Sequence, residues 1–178
     1  MKRLIFVSIF MAGCSESVGV EPTNMLDAEC AFQFSAEPAC LHKAGKHTIK
    51  VSLITKRLAD DEFALVQVYV VFDGKPHTLP ISPDVSMIAG NIGIISFADI
   101  NFDNIPDMAI STSFGLANQY FDYWTYDPKE GHYNSIGSYP KLSANSADRT
   151  LAATVKLDAA TYQQQKYSWK GRVLVRHK

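Results

Sequence analysis

The sequence predicts an all-β protein with a single antiparallel β-sandwich or curved-sheet domain of about eight strands. Two observations lead to the all-β class. From residue 47 onward, apolar and polar residues alternate with a period of two over short runs, which is typical of strands with one buried face. Turn signals separate these runs, and neither an amphipathic helical pattern nor an internal repeat accompanies them.

The predicted strands follow one another along the chain. The runs are HTIKVSLI, EFALVQVYVVFDGKPHTL, IGIISFADI, DMAISTSF, QYFDYWTYD, GHYNSIGSY, RTLAATVKL and KYSWKGRVLVRH. Asp73-Gly74 divides the second run and Lys170-Gly171 divides the last, because such pairs favour the tight turns of β-hairpins. The earlier stretch MLDAECAFQF fits either a short helical turn or an edge strand.

The N-terminal residues predict export and lipid attachment. Residues 1–13 contain two basic residues, a short apolar run and then Ala-Gly before Cys14, which is typical of a secretory signal peptide. The Cys after Ala-Gly resembles the lipobox of bacterial lipoproteins. That resemblance implies a lipid on Cys14 and a periplasmic location, with an outer-membrane anchor favoured because Ser15 follows rather than Asp. Residues 14–24 have the composition of a flexible tether.

Residues 25–178 are enough for one domain with a substantial core. The chain has 17 Lys and Arg residues and 18 Asp and Glu residues, so this near balance gives no reason to expect binding to nucleic acid. With Cys14 assigned to lipid, Cys30 and Cys40 remain as an even pair. An oxidising compartment favours a disulfide between them.

The stretch DINFDNIPD, residues 99–107, predicts a calcium site. Oxygen-bearing side chains stand at loop positions one, three, five and nine, and position seven would offer its backbone carbonyl. The predicted ligands are Asp99, Asn101, Asp103, Ile105 and Asp107. Calcium takes six to eight oxygens, whereas magnesium demands a stricter geometry. Asn104 stands at position six, where the loop needs a left-handed backbone that Asn adopts readily. The alternative is an acidic surface loop without a metal.

Several motifs together carry a resemblance to a known family. They are DINFD with the following DMAI strand, the aromatic run YFDYWTYD and the late YSW. They resemble a group of periplasmic calcium-containing proteins similar to invertebrate-type lysozyme inhibitors. The group includes immunity proteins against peptidoglycan hydrolases of antibacterial type IV secretion systems. The resemblance covers residues 63–175 and implies a protein that binds and blocks a lysozyme-like peptidoglycan hydrolase.

The resemblance also implies a binding loop that enters the cleft of the hydrolase, with a Ser or Gly near a Tyr at its tip. Two stretches of this chain fit that role. LDAATYQQQKYSW places Asp158, Thr161 and Tyr162 before the last hairpin, where the family's loop falls. SIGSYPKL supplies Ser138 and Tyr139 and comes closer to the residue pattern. Position favours the first stretch.

An enzyme is not predicted. A glycosidase needs two carboxylates at a defined separation, whereas Asp60, Asp61 and Glu62 are adjacent in a polar run. The five histidines show no metal-binding spacing, and no nucleophile motif occurs. The alternative to an inhibitor is a calcium-stabilised envelope lipoprotein with a structural or assembly role.

Overall fold

The computed structural model describes residues 28–33, 39–83, 85–114 and 117–178. The predicted signal peptide, the predicted tether and Cys14 lie outside the described residues, so the expectations about export and lipid attachment remain predictions. Every regular secondary-structure element in the described residues is a β-strand. There are fourteen of these strands, and they are arranged in antiparallel sheets. The all-β class is therefore confirmed. In the same part of the chain no helix is long and apolar enough to cross a membrane.

Three sheets are formed by the described residues. The central sheet has the order β1-β7-β8-β9-β10, the first outer sheet β2-β3-β4-β5 with β6 beside β4, and the second outer sheet β11-β12-β13-β14. The strands are β1 Ala28–Phe32, β2 Ala39–Ala44, β3 His47–Arg57, β4 Glu62–Phe72, β5 Lys75–Leu79, β6 Ser86–Ile88, β7 Gly93–Ala98, β8 Asp107–Ser111, β9 Tyr120–Asp127, β10 His132–Pro140, β11 Ser143–Asn145, β12 Thr150–Lys156, β13 Tyr162–Lys170 and β14 Val173–Arg176.

The central sheet has a core on each face. Successive side chains of a strand point to opposite faces, so β9 sends Trp124 and Tyr126 to one core and Phe121 and Tyr123 to the other. The first core lies against the first outer sheet and includes Ile49, Val51, Val68, Val70, Phe97 and Trp124. The second core lies against the second outer sheet and includes Phe121, Tyr123, Leu151, Ala153, Tyr167 and Leu174. All five residues of β8 are buried because both faces are covered.

The strand count exceeds the predicted eight for physical reasons. The strands β6 and β11 have only three residues each, too few for an alternating pattern to be visible. The stretch MLDAECAFQF contains a strand, β1, which pairs with β7 so that Phe32 lies opposite Gly93. Gly93 is needed there because a Cβ would overlap the ring of Phe32.

Two features expected from local sequence are confirmed. Asp73 and Gly74 both have positive φ, 47° and 83°, as a two-residue turn of type I′ requires between β4 and β5. Cys30 and Cys40 form a disulfide with a Cα–Cα distance of 6.0 Å. This bond joins β1 of the central sheet to β2 of the first outer sheet, so it ties two layers together.

Candidate functional site

The acidic loop, residues 99–107, connects two neighbouring strands of the central sheet and ends on the first residue of β8. Two side chains of the second outer sheet region hold it. The indole Nε1 of Trp169 donates to the carbonyl oxygen of Ile100 at 2.7 Å. Arg149 donates from Nη1 to the carbonyl oxygen of Phe102 at 3.2 Å and lies over its ring. Contacts with these two side chains therefore hold the loop in place.

The side chains at loop positions one, three and five turn back toward the loop's own backbone. The carboxylate of Asp99 accepts hydrogen bonds from the N–H groups of Asp103 at 2.9 Å and Asn104 at 2.8 Å. Asn101 Oδ1 also accepts from the N–H of Asp103, and Asp103 Oδ1 accepts from the N–H of Ile105. These bonds curl the chain around its own oxygen atoms, as local side-chain acceptors do in turns.

The backbone has the conformation expected at position six. Asn104 has a φ of 65°, which confirms the predicted left-handed residue. Phe102 also has a positive φ, 63°, although nothing in the sequence indicates this. An aromatic residue adopts this region reluctantly, so the surrounding hydrogen bonds and the contact with Arg149 maintain it.

Asp107 is the most deeply placed of the predicted ligands, with 1% of its surface exposed. Its Oδ2 accepts from the N–H groups of Ile100 and Asn101 at 3.1 and 3.2 Å, and its Oδ1 accepts from the N–H of Tyr126 at 2.9 Å. The carboxylate thus joins the start of the acidic loop to strand β9. Burial raises the pKa of Asp107 well above its usual range, and the nearby carboxylates of Asp103 and Asp99 raise it further.

The same repulsion acts on a second carboxylate. Burial raises the pKa of Asp103, and the charge of Asp99 adds to the shift, although the N–H of Ile105 and the side chain of Asn101 oppose it. A dication among these groups would relieve the repulsion between carboxylates that adds to the effect of burial in both pKa shifts.

The residues fit calcium by their chemistry. The donor set consists of carboxylate, amide and carbonyl oxygens, which a hard cation prefers. In the part of the chain that the structure describes, however, no three His, Cys, Asp or Glu side chains are arranged as a metal centre. Asp107 accepts hydrogen bonds from three backbone N–H groups and by these bonds supports the loop without an ion. Ile105 packs partly against the first core, with its N–H bound to Asp103.

The first candidate binding loop is the turn between β12 and β13. Asp158 Oδ1 accepts from the N–H groups of Ala160 and Thr161, both at 2.9 Å, and these bonds lower the pKa of Asp158. The next residue, Tyr162, is 62% exposed, and the ammonium of Lys156 lies 5.8 Å from the centre of its ring. The result is an ordered turn that presents a tyrosine to solvent.

Both residues of the second candidate stretch lie inside a strand, whereas Tyr162 is the first residue of β13, directly after a turn. Ser138 and Tyr139 belong to β10, and Ser138 is exposed. Tyr139 is half-buried and packs edge-on against Tyr123 and Tyr167, with ring centres 6.3 and 5.7 Å away. Its ring therefore takes part in the second core, whereas the ring of Tyr162 is available to a partner.

The acidic loop and Tyr162 lie at opposite ends of the sheets. Asn118 follows β8 and exchanges two hydrogen bonds with the backbone of Lys156, at 2.9 and 2.7 Å, next to the β12–β13 turn. The acidic loop precedes β8 and contacts Trp169 at the far end of β13. An ion in the loop would therefore affect Tyr162 only through the intervening scaffold.

A groove of about 660 Å³ adjoins the acidic loop. It is bordered by Asn101 and Asp103 of the loop, by the β9–β10 hairpin and by Arg149, Trp169 and Arg172. Arg172 at its border binds Asp127, also at the border, at 3.1 Å, and Glu130 at 3.2 Å. Sequence reasoning missed this groove because its walls come from four separated segments, and no local motif marks them.

These features define a class: a three-layered all-β protein with a carboxylate-rich loop between adjacent strands of its central sheet. Comparison of the chain with protein-family models, with curated proteins and with solved structures finds no match. The acidic loop and the β12–β13 turn with Tyr162 are the features of this molecule from which a function can be inferred.

Proposed function

We propose that the protein is a calcium-containing periplasmic lipoprotein, anchored through Cys14, that binds and blocks a lysozyme-like peptidoglycan hydrolase. The observation that carries the proposal is the exposed Tyr162, the first residue of β13, directly after a turn held by Asp158. A tyrosine ring can fill a sugar subsite while its hydroxyl bonds to a catalytic carboxylate. Blocking of this kind is steric and needs no catalytic group in the inhibitor.

The order of the turn supports tight binding. Two backbone N–H groups are already bound to Asp158, and the N–H of Leu157 donates to the carbonyl of Thr161 at 2.9 Å. A loop that is ordered before it binds loses less conformational entropy on association. Asp158 and Thr161 therefore act by positioning Tyr162, which makes the main contact.

Calcium has a supporting role in this proposal. Asp99, Asn101, Asp103 and Asp107 would hold it with the carbonyl of Ile105, and its charge would offset the repulsion among the carboxylates. This would stabilise the junction of β7 and β8 in the central sheet, on which both outer sheets pack.

The test of inhibition is a peptidoglycan lysis assay with a panel of lysozyme-type hydrolases and protein that begins at Ser15. Tyr162→Ala should weaken inhibition by at least about tenfold, the loss typical of a central aromatic contact. Its melting temperature should stay unchanged because the side chain is mostly exposed. Tyr69→Ala is the matched control, since Tyr69 is another exposed tyrosine on a different sheet. Equal inhibition by wild type and Tyr162→Ala would refute the assignment of this turn.

The test of calcium is a thermal melt with excess calcium and with excess chelator. The chelator should lower the melting temperature of the wild type, and Asp99→Ala should abolish that difference. Asp61→Ala, which alters an exposed acidic residue far from the loop in sequence, should keep the difference. An identical melt in calcium and chelator would refute the metal site. Confirmed calcium binding without inhibition of any hydrolase would instead favour the structural envelope lipoprotein.

A further inference from the structure

Strand β14, Val173–Arg176, forms one edge of the second outer sheet. The sheet order is β11-β12-β13-β14, and within the described residues no strand pairs with the far side of β14. Leu174 is buried in the second core and holds the strand in place. The edge is therefore anchored but open.

The register shows which backbone groups face outward. Lys170 lies opposite Val173 across a two-residue turn, and Gly171 at its first position has a φ of 63°. Residues opposite each other in such a turn exchange backbone hydrogen bonds, and the bonded pairs recur at every second residue. The N–H of His177 donates to the carbonyl of Lys166 at 2.8 Å, as this spacing requires.

Alternation then divides the residues of β14 into two sets. Val173 and Val175 direct their backbone groups toward β13, whereas Leu174 and Arg176 direct theirs away from the sheet. An outward row of N–H and C=O groups is a template for another strand. The side chains of Val173 and Val175 are 63% and 42% exposed and would border such a strand with apolar surface.

The charge around this edge is strongly positive. Residues 159–178 contain five of the 17 Lys and Arg residues and none of the 18 Asp and Glu residues. Lys166 pairs with Asp148, and Arg172 with Asp127 and Glu130. The remaining three, which make no ion pair with the described part of the chain, are Lys170, Arg176 and Lys178. Two copies of the edge would repel each other, so the charge favours a partner of opposite sign.

We propose that β14 is the docking edge for an extended acidic segment of a partner protein, which adds to the second outer sheet as a further strand. The outward backbone groups of Leu174 and Arg176 supply the hydrogen bonds, and Lys170 and Arg176 select acidic side chains. This surface is distinct from the β12–β13 turn, because β14 pairs with the end of β13 farthest from Tyr162. It is a second interaction site in addition to the proposed inhibitory one.

The first experiment measures binding of a labelled synthetic peptide in which Glu alternates with Val, by fluorescence anisotropy. Hydrogen exchange is followed at single amides of the full protein. The peptide should bind saturably and slow the exchange of the Leu174 and Arg176 amides. The amides of Val173 and Val175 already bond to β13 and serve as internal controls. Polyglutamate and vesicles containing anionic lipid are tested in parallel as partners that offer charge without a strand.

Two variants at one position separate charge from strand addition. Arg176→Ala removes the charge and keeps the N–H, whereas Arg176→Pro also removes an outward N–H that the β13–β14 ladder does not use. Arg176→Pro should weaken peptide binding about tenfold more than Arg176→Ala does. Lys170→Glu should weaken it without any change at a backbone group, so the proposal is testable even if Arg176→Pro fails to fold. Lys50→Glu, on the first outer sheet, is the control and should bind as wild type.

Several results would overturn the proposal. If polyglutamate binds with the same affinity as the alternating peptide, and amide exchange at Leu174 and Arg176 does not slow, the attraction is due to charge alone. The vesicles could bind while the peptide does not, which would identify a membrane surface. The amides could be protected in free protein by concentration-dependent dimerisation, which would make a second copy the occupant. These outcomes are independent of Tyr162, so they are distinguishable from failure of the proposed inhibition.

Discussion

Replacing Asp107 by Ala should destabilise the fold severely, although the residue lies in a sequence that looks like a surface loop. The carboxylate is almost fully buried and accepts three backbone hydrogen bonds. The hydrogen bonds from two of its donors, the N–H groups of Ile100 and Tyr126, are buried. Alanine provides no acceptor, so both donors would remain unpaired away from water.

The size of the effect follows from these bonds. A buried donor left without a partner costs about 1–3 kcal/mol, so two donors predict a loss of about 4 kcal/mol. The third donor, on Asn101, is only partly buried and can turn to water. Removal of a buried carboxyl also removes its own desolvation cost, which keeps the loss from being larger. For a domain of this size, about 4 kcal/mol corresponds to a fall of about 8–16 °C in Tm.

The assay is thermal and urea unfolding followed by circular dichroism and by the fluorescence of the buried Trp124. Both transitions are measured in excess chelator, so that loss of a metal does not contribute. Asp107→Asn keeps one oxygen acceptor and should fall between wild type and Asp107→Ala. Asp60→Ala, at an exposed position, should melt as wild type. A Tm for Asp107→Ala within about 2 °C of wild type would refute the role assigned to these hydrogen bonds.

Three further changes test the layers and their connections. Replacing Cys30 and Cys40 together by Ser should lower the free energy of unfolding by about 2.7 kcal/mol on the loop-entropy relation, because the disulfide closes a sequence separation of 10 residues. A urea denaturation midpoint that does not move would contradict this expectation. Gly93→Ala should cost about 1–3 kcal/mol in urea unfolding because its Cβ overlaps the ring of Phe32, and wild-type stability would show that β1 packs differently. Trp169→Phe should cost about 1 kcal/mol by the same measurement through loss of its bond to the acidic loop, and no loss would mean that this bond does not hold the loop.

Much of the fold could be predicted from local patterns. The alternation in β3 and β4 follows from the two-residue period of a strand, and Asp73-Gly74 forms the expected turn because both residues tolerate positive φ. The disulfide could be inferred by counting cysteines. Very short strands could not be predicted, because three residues gain their structure from a neighbouring strand and have little preference of their own.

The candidate site could be predicted in part. The oxygen-bearing residues of the acidic loop and the left-handed Asn104 were visible in the sequence, because Asx side chains shape the backbone within a few residues. The depth of Asp107 was not visible, since it depends on the distant N–H of Tyr126 and on the layers packed over β8. Sequence alone also offered no reason to connect Trp169 or Arg149 with this loop.

The β-strand class, the main hairpins, the cysteine pair and the composition of the acidic loop can all be inferred from the sequence, because each depends on residues close together along the chain. Only the tertiary structure decided that the central sheet is covered on both faces. The same packing places Tyr139 between sheets while Tyr162 is exposed, and it makes β14 a basic edge strand of the sheets in the described part of the chain. The physical reason is that burial depends on which distant strands pack over a residue, and the local pattern around two tyrosines carries no information about those strands.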